Sequence, residues 1–130
     1  MSLKLLLNGS RGRMGIAISA IAEANNAEIV SACDTGDDPR SQIDACEAII
    51  DFSFHEVTRP TAELCAQHNK ALVIGTTGID SEQEDVLKKW ANEVPIFMSP
   101  NMSLGMSMLY RLVESAVSTL GKEFDVEIFE

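Results

Sequence analysis

Apolar residues fall along this chain in short runs, separated by stretches of helical period. Residues 3–7 predict a buried strand and residues 9–12 a turn. Met14, Ala17, Ile18, Ile21 and Ala22 then recur at the spacing of one helix face. Residues 28–33 predict a second strand, and residues 35–43, with Gly36, Asp37, Asp38 and Pro39, a loop. A third strand at 48–52 leads into a helix that runs to about Asn69. That helix turns Thr61, Leu64 and Cys65 inward and ends its stripe at His68, which reads as a helix-end residue and not a ligand. Residues 71–74 predict a fourth strand. Ser81 and Glu84 form a capping box for a helix carrying Val86, Leu87, Trp90 and Ala91, with Trp90 in the core. Residues 95–98 predict a fifth strand. A long helix follows, with Leu109, Leu112, Val113, Ala116 and Leu120 as its stripe and Gly121 closing it. Residues 124–129 predict a last strand.

Strand and helix alternate throughout, with no internal repeat. Uncharged strands such as Leu72-Val73-Ile74 point to a parallel sheet covered on both faces. The fold class is α/β, a doubly wound Rossmann-like sheet.

The first strand-to-helix turn, Gly9-Ser10-Arg11-Gly12-Arg13-Met14-Gly15, carries the strongest chemical signal. A glycine turn of this kind lets backbone N–H groups approach a diphosphate at a helix N-terminus, where the macrodipole favours negative charge. Arg11 and Arg13 add positive charge there. The dinucleotide fingerprint has glycines two and five residues after the first; here those positions hold Arg11 and Met14, so the pattern is G-x-x-G-x-x-G. No Gly-Lys-Ser/Thr follows, which excludes a P-loop. Asp34 ends the second strand, where an acid in such a unit accepts from the adenosine ribose hydroxyls. Three later strand ends carry polar or glycine tips: Asp51-Phe52-Ser53, Gly75-Thr76-Thr77-Gly78 and Ser99-Pro100-Asn101. In an open α/β sheet these tips converge on one crevice. No Ser/His/Asp or Cys/His arrangement emerges from spacing, and His55 reads as a solvated loop histidine.

Composition narrows the partners. With 130 residues, 45% of them hydrophobic and 23% charged, the chain can fold around a real core, which excludes wholesale disorder. A net charge of −10 argues against nucleic acid and anionic membrane surfaces. The acidity is uneven, however. Before Glu23 the charged residues are Lys4, Arg11 and Arg13, which suits an anionic ligand near the N-terminus. Cys33, Cys46 and Cys65 are odd in number and form no C-x-x-C, as expected of a reduced cytosolic protein and not of a disulfide scaffold or zinc site. Two isolated histidines are too few for a metal cluster. No apolar run approaches the roughly 18 residues of a membrane span, and Asn8, Arg11 and Arg13 break any signal-peptide core. A cytoplasmic location and a small-molecule substrate are expected.

Together these tips resemble the dihydrodipicolinate reductase family of diaminopimelate and lysine biosynthesis. The matching motifs are Gly9-Ser-Arg-Gly-Arg-Met-Gly15, Ile50-Asp-Phe-Ser53, Gly75-Thr-Thr-Gly78, Asn101-Met-Ser-Leu-Gly105 and Asp125-Val-Glu-Ile128, in the family's order and over nearly the whole chain. The resemblance implies an oxidoreductase that passes a hydride from NADH or NADPH to the cyclic product of the preceding synthase, giving tetrahydrodipicolinate. It implies that Gly9, Ser10, Arg11, Gly12, Arg13 and Met14 hold the diphosphate and Asp34 the ribose. Phe52, Ser53, Gly75, Thr76, Thr77, Ser99, Pro100, Asn101 and Met102 complete the cofactor site, with 75–77 and 99–102 at the nicotinamide end. NADH is the expected preference.

Three departures from the family carry expectations of their own. The stretch between Asp34 and Ala48 is short, so a small strand is expected to be missing. Met102 stands where the family has Phe. The family's His-His-x-x-Lys segment, which supplies the general acid and the substrate-carboxylate cation, does not occur within the 130 residues. The expected organisation is a dinucleotide-binding domain over 1–103, then the first helix and strand of a truncated substrate-binding and oligomerisation domain over 104–130. The chain alone is expected to be inactive, to hold no catalytic residue and no metal, and to form homo-oligomers. Two other readings remain: a stand-alone NAD-binding sensor, and a phosphoreceiver-like signalling domain with Asp51 as acceptor. The second is disfavoured by Asn8-Gly9 where that fold has an acidic pair, and by Ser99-Pro100 where it has a lysine.

Overall fold

A computed structural model describes residues 2–127 and 129. It forms two compact units, Met1–Pro100 and Asn101–Glu130.

The first unit is a single five-stranded sheet: β1 (Leu3–Asn8), β2 (Ala27–Cys33), β3 (Ala48–Asp51), β4 (Ala71–Ile74) and β5 (Ile96–Met98). The strand order is β2-β1-β3-β4-β5 and every pairing is parallel. Helices α1 (Arg13–Ile21), α2 (His55–Gln67) and α3 (Ser81–Trp90) make the crossovers. Between β2 and β3 the described residues form two short 3-10 turns, Pro39–Ser41 and Ile43–Ala45, and no strand. The chain winds one way from β1 to β2 and the other way from β3 to β5. Right-handed crossovers therefore put α1 on one face and α2 with α3 on the other.

The core lies on the α2–α3 side. Leu6, Ile49, Leu72 and Ile74 from the strands meet Ala62, Leu64 and Cys65 of α2 and Leu87 of α3. Thr61, Leu64 and Cys65 point inward as their spacing predicts, and Trp90 packs against the same cluster. Asn69, in the left-handed region at φ 53°, closes α2 while Lys70 N–H bonds back to the Cys65 carbonyl.

Four sequence expectations need correction. The sheet is not covered on both faces along its whole width. Leu5 and Leu7 are buried, but Val73 is half-buried and Phe97 is 59% exposed. The inward stripe of α1 is Gly15, Ile18 and Ala22, with Met14, Ala17 and Ile21 exposed. Gly15 takes the inward position because it seats the helix against the preceding turn. The capping box of α3 is Asp80 with Gln83, one residue before the expected pair. The Asp80 carboxylate accepts from Gln83 N at 2.8 Å, and Asp80 N donates to the Gln83 amide oxygen at 3.2 Å.

The fourth correction falls in the second unit, which consists of α4 (Leu104–Leu120) and a 3-10 turn. Ser103 caps α4 through Met106 N, and Gly121 closes it at φ 74°. The strand expected over 124–129 is absent among the described residues, which pair with no other strand; Ile128 lies outside them. A strand needs a partner for its backbone groups, and the described residues of this stretch pair with none.

Candidate functional site: the crossover cleft

The winding reverses between β1 and β3. The carboxyl ends of the strands leave a cleft there of about 530 Å³, lined by Asn8, Gly9, Arg11 and Gly12 on one side, Phe52, Ser53, Phe54 and Val57 on another, and Asp34, Thr35, Gly36, Asp37 and Pro39 across the mouth. Ligands of open α/β sheets bind at this kind of switch point.

The β1–α1 turn is built around close backbone approach. Gly9 has φ 83°, and a Cβ there would collide with the Phe52 carbonyl oxygen. A Cβ on Gly15 would run into the backbone of Gly9 and Ser10. Gly9 N and Ser10 N donate to the Cys33 carbonyl at 3.0 and 3.1 Å, which ties the turn to the end of β2. Gly12 begins α1 without a side-chain cap, and the first turn holds no acid. The amides of Arg13, Met14 and Gly15 thus open a helix N-terminus at the cleft side of the sheet.

Asp34 lies at the mouth and is already engaged. Its carboxylate accepts from Arg11 N at 2.7 Å and from Thr35 N at 2.8 Å. These two N–H groups, Arg11's first, hold its carboxyl below the usual carboxylate range. Its own N–H donates to Asp37 at 2.9 Å, and the Arg11 guanidinium stands 4.0 Å from the same Asp37 carboxylate. Arg11 is therefore drawn toward the acidic rim, while Arg13 is exposed at the start of α1.

The other strand ends are knitted together beneath the cleft. Phe52 lies over Gly75, where a Cβ would strike its ring. Thr76 is buried: its hydroxyl accepts from Ser53 N at 3.1 Å and donates to the Asp51 carbonyl at 3.3 Å. Thr77 is exposed. Ser99 N donates to the Ile74 carbonyl at 3.1 Å, and Pro100 follows on the surface. Asn101 and Met102 belong to the second unit, where Asn101 accepts from Ser103 N at 2.9 Å.

The cleft thus gathers Gly9, Arg11, Gly12, Asp34, Phe52 and Ser53 from the sequence expectation. It adds Asn8, Thr35, Gly36, Asp37, Pro39, Phe54 and Val57, which sequence reasoning had not assigned to a site. Asp37 had a signal, since it stands three residues after Asp34 in the same loop. Phe54 is an exposed aromatic residue whose place in the cleft depends on where α2 begins. Among the described residues no group of three or more His, Cys, Asp or Glu could hold a metal ion, and no helix is long and apolar enough to cross a membrane.

A parallel sheet with a glycine turn at its reversal point and an acid closing β2 defines a Rossmann-like α/β domain of the dinucleotide type. The family model described as dihydrodipicolinate reductase, N-terminus, matches residues 3–102, and the chain belongs to that family. The chain is 33% identical to the 4-hydroxy-tetrahydrodipicolinate reductase of Syntrophotalea carbinolica, over 98% of its own length and 57% of that protein. It is likewise 33% identical to the enzyme of the same name from Alkalilimnicola ehrlichii, over 100% of this chain and 58% of the relative. Among solved structures, a dipicolinate-bound dihydrodipicolinate reductase from Paenisporosarcina sp. TG-14 shares the fold with a TM-score of 0.79, at 23% identity over 91% of this chain and 54% of that one. The chain spans a little over half the length of the curated relatives it matches. The phosphoreceiver alternative fails on this membership. It fails on geometry too, since Asp51 is fully buried and cannot meet a phosphoryl donor.

Proposed function

We propose that this chain is the NAD(P)H-binding part of a dihydrodipicolinate reductase. The observation that carries the reading is the crossover cleft, with the Gly9 turn on one wall and Asp34 across its mouth. Bound there, a reduced nicotinamide supplies a hydride. In this reading the amides and arginines of residues 9–14 take the diphosphate and Asp34 takes the adenosine ribose. The tips at Phe52, Ser53, Gly75, Thr76, Thr77, Ser99 and Pro100 take the nicotinamide half. The free lone pairs of the Asp34 carboxylate remain able to accept ribose hydroxyls while it holds the Arg11 and Thr35 amides.

NADH binds at least as tightly as NADPH in this proposal. Asp34, Thr35, Gly36 and Asp37 form the rim, and Arg11 faces Asp37. A 2′-phosphate would meet these carboxylates, with Arg40, which follows the rim residue Pro39, as the candidate cation to offset them. Titration of the chain with both nucleotides at one salt concentration tests this. NADPH binding tenfold tighter, about 1.4 kcal/mol, would overturn the preference, and absence of any NADH binding would overturn the reading itself.

The proton donor and the grip on the substrate carboxylates are assigned to the portion of the relatives that this chain does not span. The chain alone then binds nucleotide without turnover in an assay fed with the synthase product. The many exposed apolar side chains of α4, among them Leu104, Leu109 and Leu112, favour assembly with further copies, which light scattering over a concentration series would report.

A further inference from the structure

Asp51 ends β3 with 0% of its surface exposed. Its carboxyl gathers donors from three directions. Asn8 Nδ2 at the end of β1 lies 3.2 Å from Oδ1. The Ser53 N–H reaches the same oxygen at 3.1 Å, and the Ser53 hydroxyl also donates to it. The Thr58 hydroxyl, on α2, donates to Oδ2 at 2.9 Å. Through its main chain, Asp51 also accepts from the Thr76 hydroxyl and from Gly75 N, at the end of β4.

No ion pair accompanies this carboxyl among the described residues; the titratable group that faces it is the Cys65 thiol of α2. Burying a carboxyl without a cation is costly, and an apolar side chain of the same size would fill the space at lower cost. Fold stability alone does not ask for Asp51. What it does supply is an acceptor for several donors at once: Asn8 and Ser53 line the cleft themselves, and Thr58 follows the lining residue Val57.

Resting on the nucleotide reading above, we propose that Asp51 is a positioning residue of the cleft. Its carboxyl fixes the exits of β1 and β3 and the first turns of α2 relative to one another, and thereby the shape that the nucleotide meets. The carboxyl acts through hydrogen bonds and does not touch the ligand.

The test is NADH titration of the 130-residue chain as wild type, Asp51→Asn, Asp51→Ala and Thr58→Val, at a temperature where circular dichroism shows each variant folded. Asp51→Asn keeps the oxygen that takes three donors and offers its NH₂ to the Thr58 oxygen, so affinity should stay within about threefold of wild type. Asp51→Ala should weaken NADH roughly tenfold or more and move the amide NMR signals of Gly9, Ser53 and Thr76. If that variant does not fold, Thr58→Val decides. It removes one donor that does not itself line the cleft and should weaken binding about threefold with smaller shifts of the same signals. Wild-type affinity in folded Asp51→Ala or in Thr58→Val would overturn the proposal, as would an Asp51→Asn variant no better than Asp51→Ala. A wild-type chain that binds no NADH would instead remove the nucleotide reading, and the proposal with it.

Discussion

At the scale of single residues, the glycines and carboxyls around the first turn have effects that can be separated. Gly15 lies in ordinary helical backbone, so its substitution costs nothing in strain; the cost is steric, because the atoms a Cβ would meet are the backbone of Gly9 and Ser10. Gly15→Ala should destabilise the chain by about 1–3 kcal/mol, read from the urea midpoint, and weaken NADH binding by displacing the turn. An unchanged midpoint would mean that the helix can slide away freely. Asp34 provides a second check. Its carboxyl is held low in the folded state, so its contribution is present at neutral pH and is lost only as pH falls through that lowered value. Carboxyl ¹³C shifts followed against pH should show Asp34 titrating below an ordinary aspartate; a normal midpoint would mean that the Arg11 and Thr35 amides are not its partners. Asp51 has the opposite sign. Burial, outweighing the hydrogen bonds from Ser53 and Thr58, pushes its carboxyl up, so whatever stability it adds is lost as pH rises through the raised value. Asp51→Asn should therefore gain on wild type in urea-unfolding stability as pH rises.

At the scale of elements, most of the sheet could be read from the chain. The runs at 3–7, 28–33, 48–52, 71–74 and 95–98 each became a strand within a residue or two, because buried parallel strands are unbroken apolar segments with polar ends. What sequence misjudged were matters of one or two residues or of missing partners. Asp80-Ser81 offers two adjacent capping side chains, each with an acid or amide three residues on, and only the backbone decides between them. Asp80→Ala should cost about 1 kcal/mol, and Ser81→Ala much less, by thermal unfolding; equal effects would restore the sequence-based cap. The site was half legible. Gly9 and Asp34 declare themselves by their places at strand ends, whereas Asn8, Phe54 and Val57 belong to the site only because β1, β3 and α2 meet there. A buried hub such as Asp51 leaves no local pattern at all, since its partners are spread from Asn8 to Thr76.

At the scale of the whole molecule, the three cysteines share one fate. Each is buried, each is pushed above the ordinary thiol range, and Cys65 is pushed up to about 12, chiefly by burial and then by the Cys46 and Asp51 charges. A thiol reagent should find none of them at neutral pH in the native chain and all three after denaturation; rapid labelling of the folded protein would mean that the α2 side of the sheet opens readily. The strand order has a consequence in time as well as in space. β1, the first strand of the sheet in chain order, is an interior strand, and its neighbours on either side are residues 27–33 and 48–51. The sheet cannot grow from one edge in the order of synthesis. Its middle must wait, both flanks bare, until half the first unit has emerged. Such non-local pairing slows folding and lengthens the interval in which the nascent chain can pair wrongly. Trimming β5 would remove an edge, but trimming β1 would remove the strand on which the others assemble.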